Sequence, residues 1–124
     1  MTPHGNFHWN ELMTHDVNRA KAFYARTLGW SFDPMPMDGF TYWIAKAGDQ
    51  VVGGAIEMSG PEFKDVPEHW MAYVSVDDVN ERLVKAIAAG GATLREPFDI
   101  PGVGRIAILR DAAGAVIGLI TPAS

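Results

Sequence analysis

The chain has 124 residues, near the commonest size of a single domain, and its 48% hydrophobic and 20% charged content describes an ordinary globular protein rather than a disordered one. A formal charge of −5 with 10 scattered basic residues disfavours nucleic acid or an anionic membrane as partner, and zero cysteines exclude disulfides, thiol catalysis and thiolate-bound metals. No apolar run approaches the roughly 20 residues needed to span a bilayer, and the N-terminus lacks a signal-like segment, so a cytoplasmic protein is expected.

An extended segment over 7–13 leads to Asp16, placed to cap a helix over Val17–Leu28. In that helix Ala20, Phe23, Tyr24 and Leu28 recur at three- and four-residue spacings, and Gly29 supplies the stop. Residues 30–32 read as a strand. The Pro34-Met35-Pro36-Met37 run reads as a loop that closes over a pocket or covers a dimer seam. Residues 40–45 and 51–58 form a β-hairpin across the turn pair Gly48-Asp49. Residues 59–68, with Pro61 and Pro67 among polar neighbours, make the linker.

A second extended segment, 70–76, leads to Asp78 and a helix over 79–89, with Glu81 placed for a capping box and Gly91 as the stop. Strands follow at 93–97, 104–109 and 115–120, the last two joined by the turn Asp111-Ala112-Ala113-Gly114. Gly102-x-Gly104 lacks the strand–GxGxxG–helix context of a dinucleotide site and reads as a turn into the Arg105 strand.

Asp16-Val17-Asn18 recurs as Asp78-Val79-Asn80, an offset of 62 residues that is half of 124, and Gly29 and Gly91 share it. The expected fold is α+β: two tandem βαβββ modules forming a curved, mainly antiparallel eight-stranded sheet. The expected organisation is one domain over 1–124, with module one at 6–58, the linker at 59–68 and module two at 69–122. Helices would cover one side and leave a concave hollow as the ligand site.

The segments Trp9-Asn10-Glu11-Leu12-x-Thr14-x-Asp16, Phe23-Tyr24, Leu28-Gly29-Trp30, Val76-Asp77-Asp78, Gly90-Gly91 and Asp111-x-x-Gly114 together resemble the glyoxalase / bleomycin-resistance / extradiol-dioxygenase (vicinal oxygen chelate) superfamily over nearly the whole chain. The resemblance implies paired βαβββ modules, a homodimer and, in the enzymes, a divalent metal held by the first and last strands of each module. The positions that would carry those ligands hold Trp9, Met71, Gly118 and, at the 62-residue offset, Ile56. None of these side chains suits a hard divalent cation. No metal and no cofactor are therefore expected.

Strand alternation sets Phe7, Trp9, Glu11 and Met13 on one face, with Met71 and Tyr73 as their repeat neighbours. Trp9, Glu11, Met13, Met71 and Tyr73 are expected to bind the ligand, with Arg105 at the pocket mouth for an anionic group. Glu11 is the catalytic candidate, as proton acceptor or polar anchor. Glu57, beside Ile56, should turn to the opposite face. His8 is one residue out of phase with Trp9 and Glu11, His15 lies at the strand–helix junction and His69 beside the linker, so surface or capping roles fit all three, and His4 belongs to a loose terminus. The expected function is small-molecule binding without an intrinsic metal. The alternatives are a divergent glyoxalase-like or dioxygenase-like enzyme (lyase, isomerase or oxygenase) using Glu11, with or without a divalent metal, and a structural or protein-interaction module.

Overall fold

The computed structural model describes residues 3–123. The fold is α+β: two tandem βαβββ modules whose eight strands belong to one mixed sheet. Module one comprises β1 (Phe7–Thr14), α1 (Val17–Leu28), β2 (Ser31–Met37), β3 (Phe40–Ala47) and β4 (Gln50–Glu57). Module two comprises β5 (His69–Ser75), α2 (Val79–Ala88), β6 (Ala92–Ile100), β7 (Gly104–Arg110) and β8 (Val116–Pro122). By contact the chain separates into two compact units, Trp9–Trp70 and the remainder, so the residues up to His8 group with the second module.

Within module one the strand order is β2-β3-β4-β1, and β1 runs parallel to β4 while the two hairpins are antiparallel. Leu12, Val17 and Ala55 form the core beneath α1, with Ala20, Tyr24, Phe32 and Trp43 packed against it. Asp16 accepts the N–H of Arg19, and Gly29 ends α1 in the left-handed region at φ 72. Glu57 accepts the N–H of Val17, so this carboxylate lies on the helix side as alternation requires.

The proline-rich run is not a loop. Met35 pairs with Tyr42 and Met37 with Phe40 along β2, the terminal strand of the sheet. Proline breaks a central strand by removing a ladder donor, but an edge strand tolerates it where that N–H would point outward. The linker is also structured: a short 3-10 turn at Pro61–Phe63 precedes Glu68, whose carboxylate accepts the N–H of His15 at 2.8 Å and the hydroxyl of Thr14 at 3.3 Å. The His15 N–H holds the Glu68 carboxyl below its ordinary value.

Module two repeats the order as β5-β8-β7-β6, with β5 parallel to β8. Val76, Val79, Leu83, Ala107 and Leu109 form its core under α2. Asp78 caps the helix by accepting the N–H of Glu81, while Thr121 accepts the N–H of Val79, the role Glu57 plays in module one. The capping box is only half made. Asp77 takes the N–H of Asp78, and the Glu81 carboxylate leans toward Lys85 at 3.9 Å. The helix turns at Gly90, with φ 101, one residue before the expected stop. Gly91 is needed instead for close approach, since a Cβ there would sit 2.8 Å from the Arg110 carbonyl oxygen.

His4 is held rather than loose: its Nδ1 accepts the N–H of Asp77 at 3.0 Å, and Gly5 and Asn6 hydrogen-bond to the backbone of Ser75. The repeat offset is not constant along the chain. Tyr73 stands opposite Gly118 as Glu11 stands opposite Gly54, so Gly54, not Ile56, is the counterpart of Gly118. The cause lies chiefly in β6, where register shifts at Thr93/Arg95 and Arg95/Phe98 insert extra residues against β7.

Candidate functional site

Because Leu12 and Thr14 are buried toward α1, the alternate residues Trp9, Glu11 and Met13 point from β1 to the opposite face of the module-one sheet, and all three are half-buried. The register places Gly54 beside Glu11 and Ile56 beside Met13 on that face. From β3, Tyr42 reaches across: its hydroxyl accepts the Trp9 indole N–H at 2.7 Å. The phenol lies directly over Gly54, where any Cβ would collide with its hydroxyl and ring carbons. Met35, the Cα partner of Tyr42, adds a sulfur side chain at the strand edge.

Tyr42 is the residue that sequence reasoning missed. The signal was present in the strand-interior pair Gly53-Gly54, since glycine in a strand often marks close approach.

In module two, Met71 and Tyr73 share one face of β5 and are both buried, each 6% exposed. The Tyr73 ring lies over Gly118 as Tyr42 lies over Gly54. Arg105 does not share that face. It has the parity of Ala107 and Leu109, which pack under α2, and it donates to Asn80 at 2.7 Å and to Asp99 at 3.1 Å. Alternation along β7 thus directs its guanidinium to the helix side. Arg95, the Cα partner of Ile108, shares the face of Ile106 and Ile108 and stacks on Phe98 at 3.9 Å to the ring centroid, and Arg110 at the end of β7 has the same parity.

The family's metal positions can be tested against this geometry. Trp9 and Met71 offer no hard donor, and a carboxylate at position 54 or 118 would run into the overlying tyrosine. The residues present do not fit such an ion. His15 and His69 use ring nitrogens on the carbonyl oxygens of Val66 and Pro67, at 2.7 and 2.8 Å. Among the described residues no group of three or more His, Asp or Glu is placed to hold a metal.

A cleft of about 340 Å³ opens on the α1 side, lined in part by Leu12, Thr14, Phe23, Tyr24 and Glu68, and none of the expected site residues borders it. Its carboxylates are engaged, Asp16 with the N–H of Arg19 and Glu68 with His15. It borders an aromatic cluster in which Tyr24 stacks on Trp30 at 5.4 Å and accepts the Trp70 indole N–H at 3.1 Å. Cleft and cluster offer contact area, whereas the acid, the phenol and the indole gather on the other face.

The family described as bleomycin resistance protein-like N-terminal matches residues 6–42. CFP32 of Mycobacterium tuberculosis, provisionally named a glyoxylase, is 43% identical over 120 residues, covering 96% of this chain and 45% of that protein. The anthracycline biosynthesis protein DauV of a Streptomyces species is 33% identical over 116 residues, covering 94% and 41%. The chain thus spans less than half the length of these curated relatives. Among solved structures, BH1468 of Bacillus halodurans superposes with a TM-score of 0.71 at 14% identity, covering 97% of this chain and 96% of that one. Methylmalonyl-CoA epimerase of Streptomyces coelicolor, solved with 2-nitronate-propionyl-CoA, gives 0.69 at 18%, covering 98% and 100%. At such identities these likenesses show the fold alone. No helix among the described residues is long and apolar enough to cross a membrane.

Proposed function

The chain belongs to the glyoxalase / bleomycin-resistance / extradiol-dioxygenase superfamily, and from that premise we propose that it binds a small molecule on the β1 face turned away from α1, without a resident metal. The observation that carries this reading is the joining of Trp9 to Tyr42 over Gly54, with Glu11 beside them, on a face that α1 does not cover. Indole, phenol and thioether groups there favour a flat, largely apolar ligand, and Glu11 supplies one polar anchor. The relatives named for anthracycline biosynthesis are consistent with a planar aromatic ligand class.

Planar aromatic compounds should quench tryptophan emission saturably, with binding largely lost in Trp9→Ala, weakened in Glu11→Gln and unaffected by a chelator. Absence of any saturable response in a folded protein would sink the reading, and chelator-sensitive binding would restore a metal.

A second reading, an enzyme using Glu11 as general base, is favoured by the phenol beside it, because a base paired with a hydrogen-bond donor is the minimal equipment for enolisation. The epimerase neighbour was solved with a nitronate, a carbanion-like anion. Turnover abolished by Glu11→Gln, with binding retained, would select this second reading.

A further inference from the structure

We propose that Tyr42 is the hydrogen-bond donor of this site and Glu11 its proton acceptor, so that the face selects ligands with an acidic hydroxyl or enol oxygen. This deepens the ligand-binding reading and rests on it. The Trp9 indole can only donate, so its 2.7 Å bond consumes a lone pair of the Tyr42 oxygen and leaves the phenolic proton to be given elsewhere. An oxygen that accepts one hydrogen bond donates its own proton more strongly, because bonds in a chain polarise one another.

Position is fixed as well as polarity. Gly54 lets the phenol lie flat against the sheet, and the indole N–H pins the hydroxyl there. Glu11 is the Cα partner of Gly54, and Trp9 precedes it by two residues on the same face. The Tyr42 hydroxyl, over Gly54, and Glu11, the neighbour of Gly54, are thereby adjacent on one face. Neither Tyr42 nor Glu11 stands without a partner in the ligand-free chain, so binding exchanges one contact for another.

A ligand O–H placed between them would pass its proton to the Glu11 carboxylate. Its oxygen would keep the electron pair and accept the Tyr42 proton as a hydrogen bond. No metal and no oxidant enters that balance. Stabilising charge on an oxygen in this way is the task an oxyanion-hole donor performs.

The probe pair is 4-nitrophenol and 4-nitroanisole, which have the same ring but differ in whether the oxygen carries a proton. Wild type should bind 4-nitrophenol about tenfold more tightly, the size of one charge-assisted hydrogen bond. The bound phenol should show the visible band of its phenolate. Tyr42→Phe should abolish the preference by weakening 4-nitrophenol about tenfold more than 4-nitroanisole, and Glu11→Gln should remove the phenolate band. Equal weakening of both probes in Tyr42→Phe would make Tyr42 merely a prop for Trp9, and an undiminished preference would show no contact; either overturns the inference. Failure of both probes to bind wild type saturably would instead bring down the ligand-binding reading, and this inference with it. The Trp9 indole proton resonance gives a ligand-free readout. It should move and exchange faster with water in Tyr42→Phe, and an unchanged resonance would show that the bond on which the inference stands is not formed.

Discussion

A methyl group at position 118 would overlap the Tyr73 ring, and one at position 54 would overlap Tyr42. The two cases differ in what can yield. Tyr73 is 6% exposed and has nowhere to swing, so Gly118→Ala is expected to cost about 1–3 kcal/mol, the usual penalty for overpacking. Tyr42 is only half-buried, so in Gly54→Ala the phenol should swing off the sheet, costing less stability but losing the Trp9 bond. Urea denaturation of both variants checks this, and an unchanged midpoint for Gly118→Ala would contradict the packing described. The direction of Trp9, Glu11 and Met13 is legible in the sequence, because alternation along one strand needs no knowledge of its neighbours. Tyr42 is not, since its place depends on a glycine in the adjacent strand. Arg105 escapes for a related reason: its face follows from the parity of β7 relative to the core, which only the register reveals.

The helix entrances show how closely the two modules repeat. Asp16 and Asp78 cap their helices, while Glu57 and Thr121 reach from β4 and β8 to the first helical N–H. Each pair satisfies donors that a helix leaves orphaned, which explains why the acidic cap was visible in both halves of the sequence. Module two adds a clamp without a repeat counterpart. Asp77 receives two bonds from Arg82, at 2.8 and 2.9 Å, and one from the N–H of Asp78. Arg82 is the main cause holding the Asp77 carboxyl far below its ordinary 3.8. A depressed carboxyl contributes stability that is complete above the unfolded value and is lost as pH falls below it. Acidification below pH 3.8 should therefore destabilise wild type more than Asp77→Asn, in denaturation series run at several pH values. Parallel acid limbs would show that the pair, with Asp77 exposed and Arg82 half-buried, is screened into irrelevance. Strand boundaries were less legible than caps. Prolines 34 and 36 disguise β2 as a loop because their cost depends on edge position, a property of the sheet rather than of the segment.

The 62-residue echo was enough to expose two modules, but the drift to a longer offset at Gly54 and Gly118 could not be read from it. Bulges leave no fixed sequence mark, and two of them in β6 carry most of the change. Superfamily resemblance supplies the expectation of a homodimer, and the strands that end the sheet bear on how such a dimer forms. The β2 edge carries Pro34 and Pro36, and the β6 edge carries Pro97 and the two bulges; both devices oppose strand addition from another chain. Extension of the sheet is thus disfavoured as the joining mode. A closed two-fold contact through other surfaces stops at two subunits, whereas edge pairing could continue into larger species. Sedimentation at micromolar concentration should then show a single species of twice the 13.5 kDa chain, with no growth as concentration rises. A clean monomer would sink the dimer, and a concentration-dependent series of higher masses would show that the proline-bearing and bulged edges fail to block pairing.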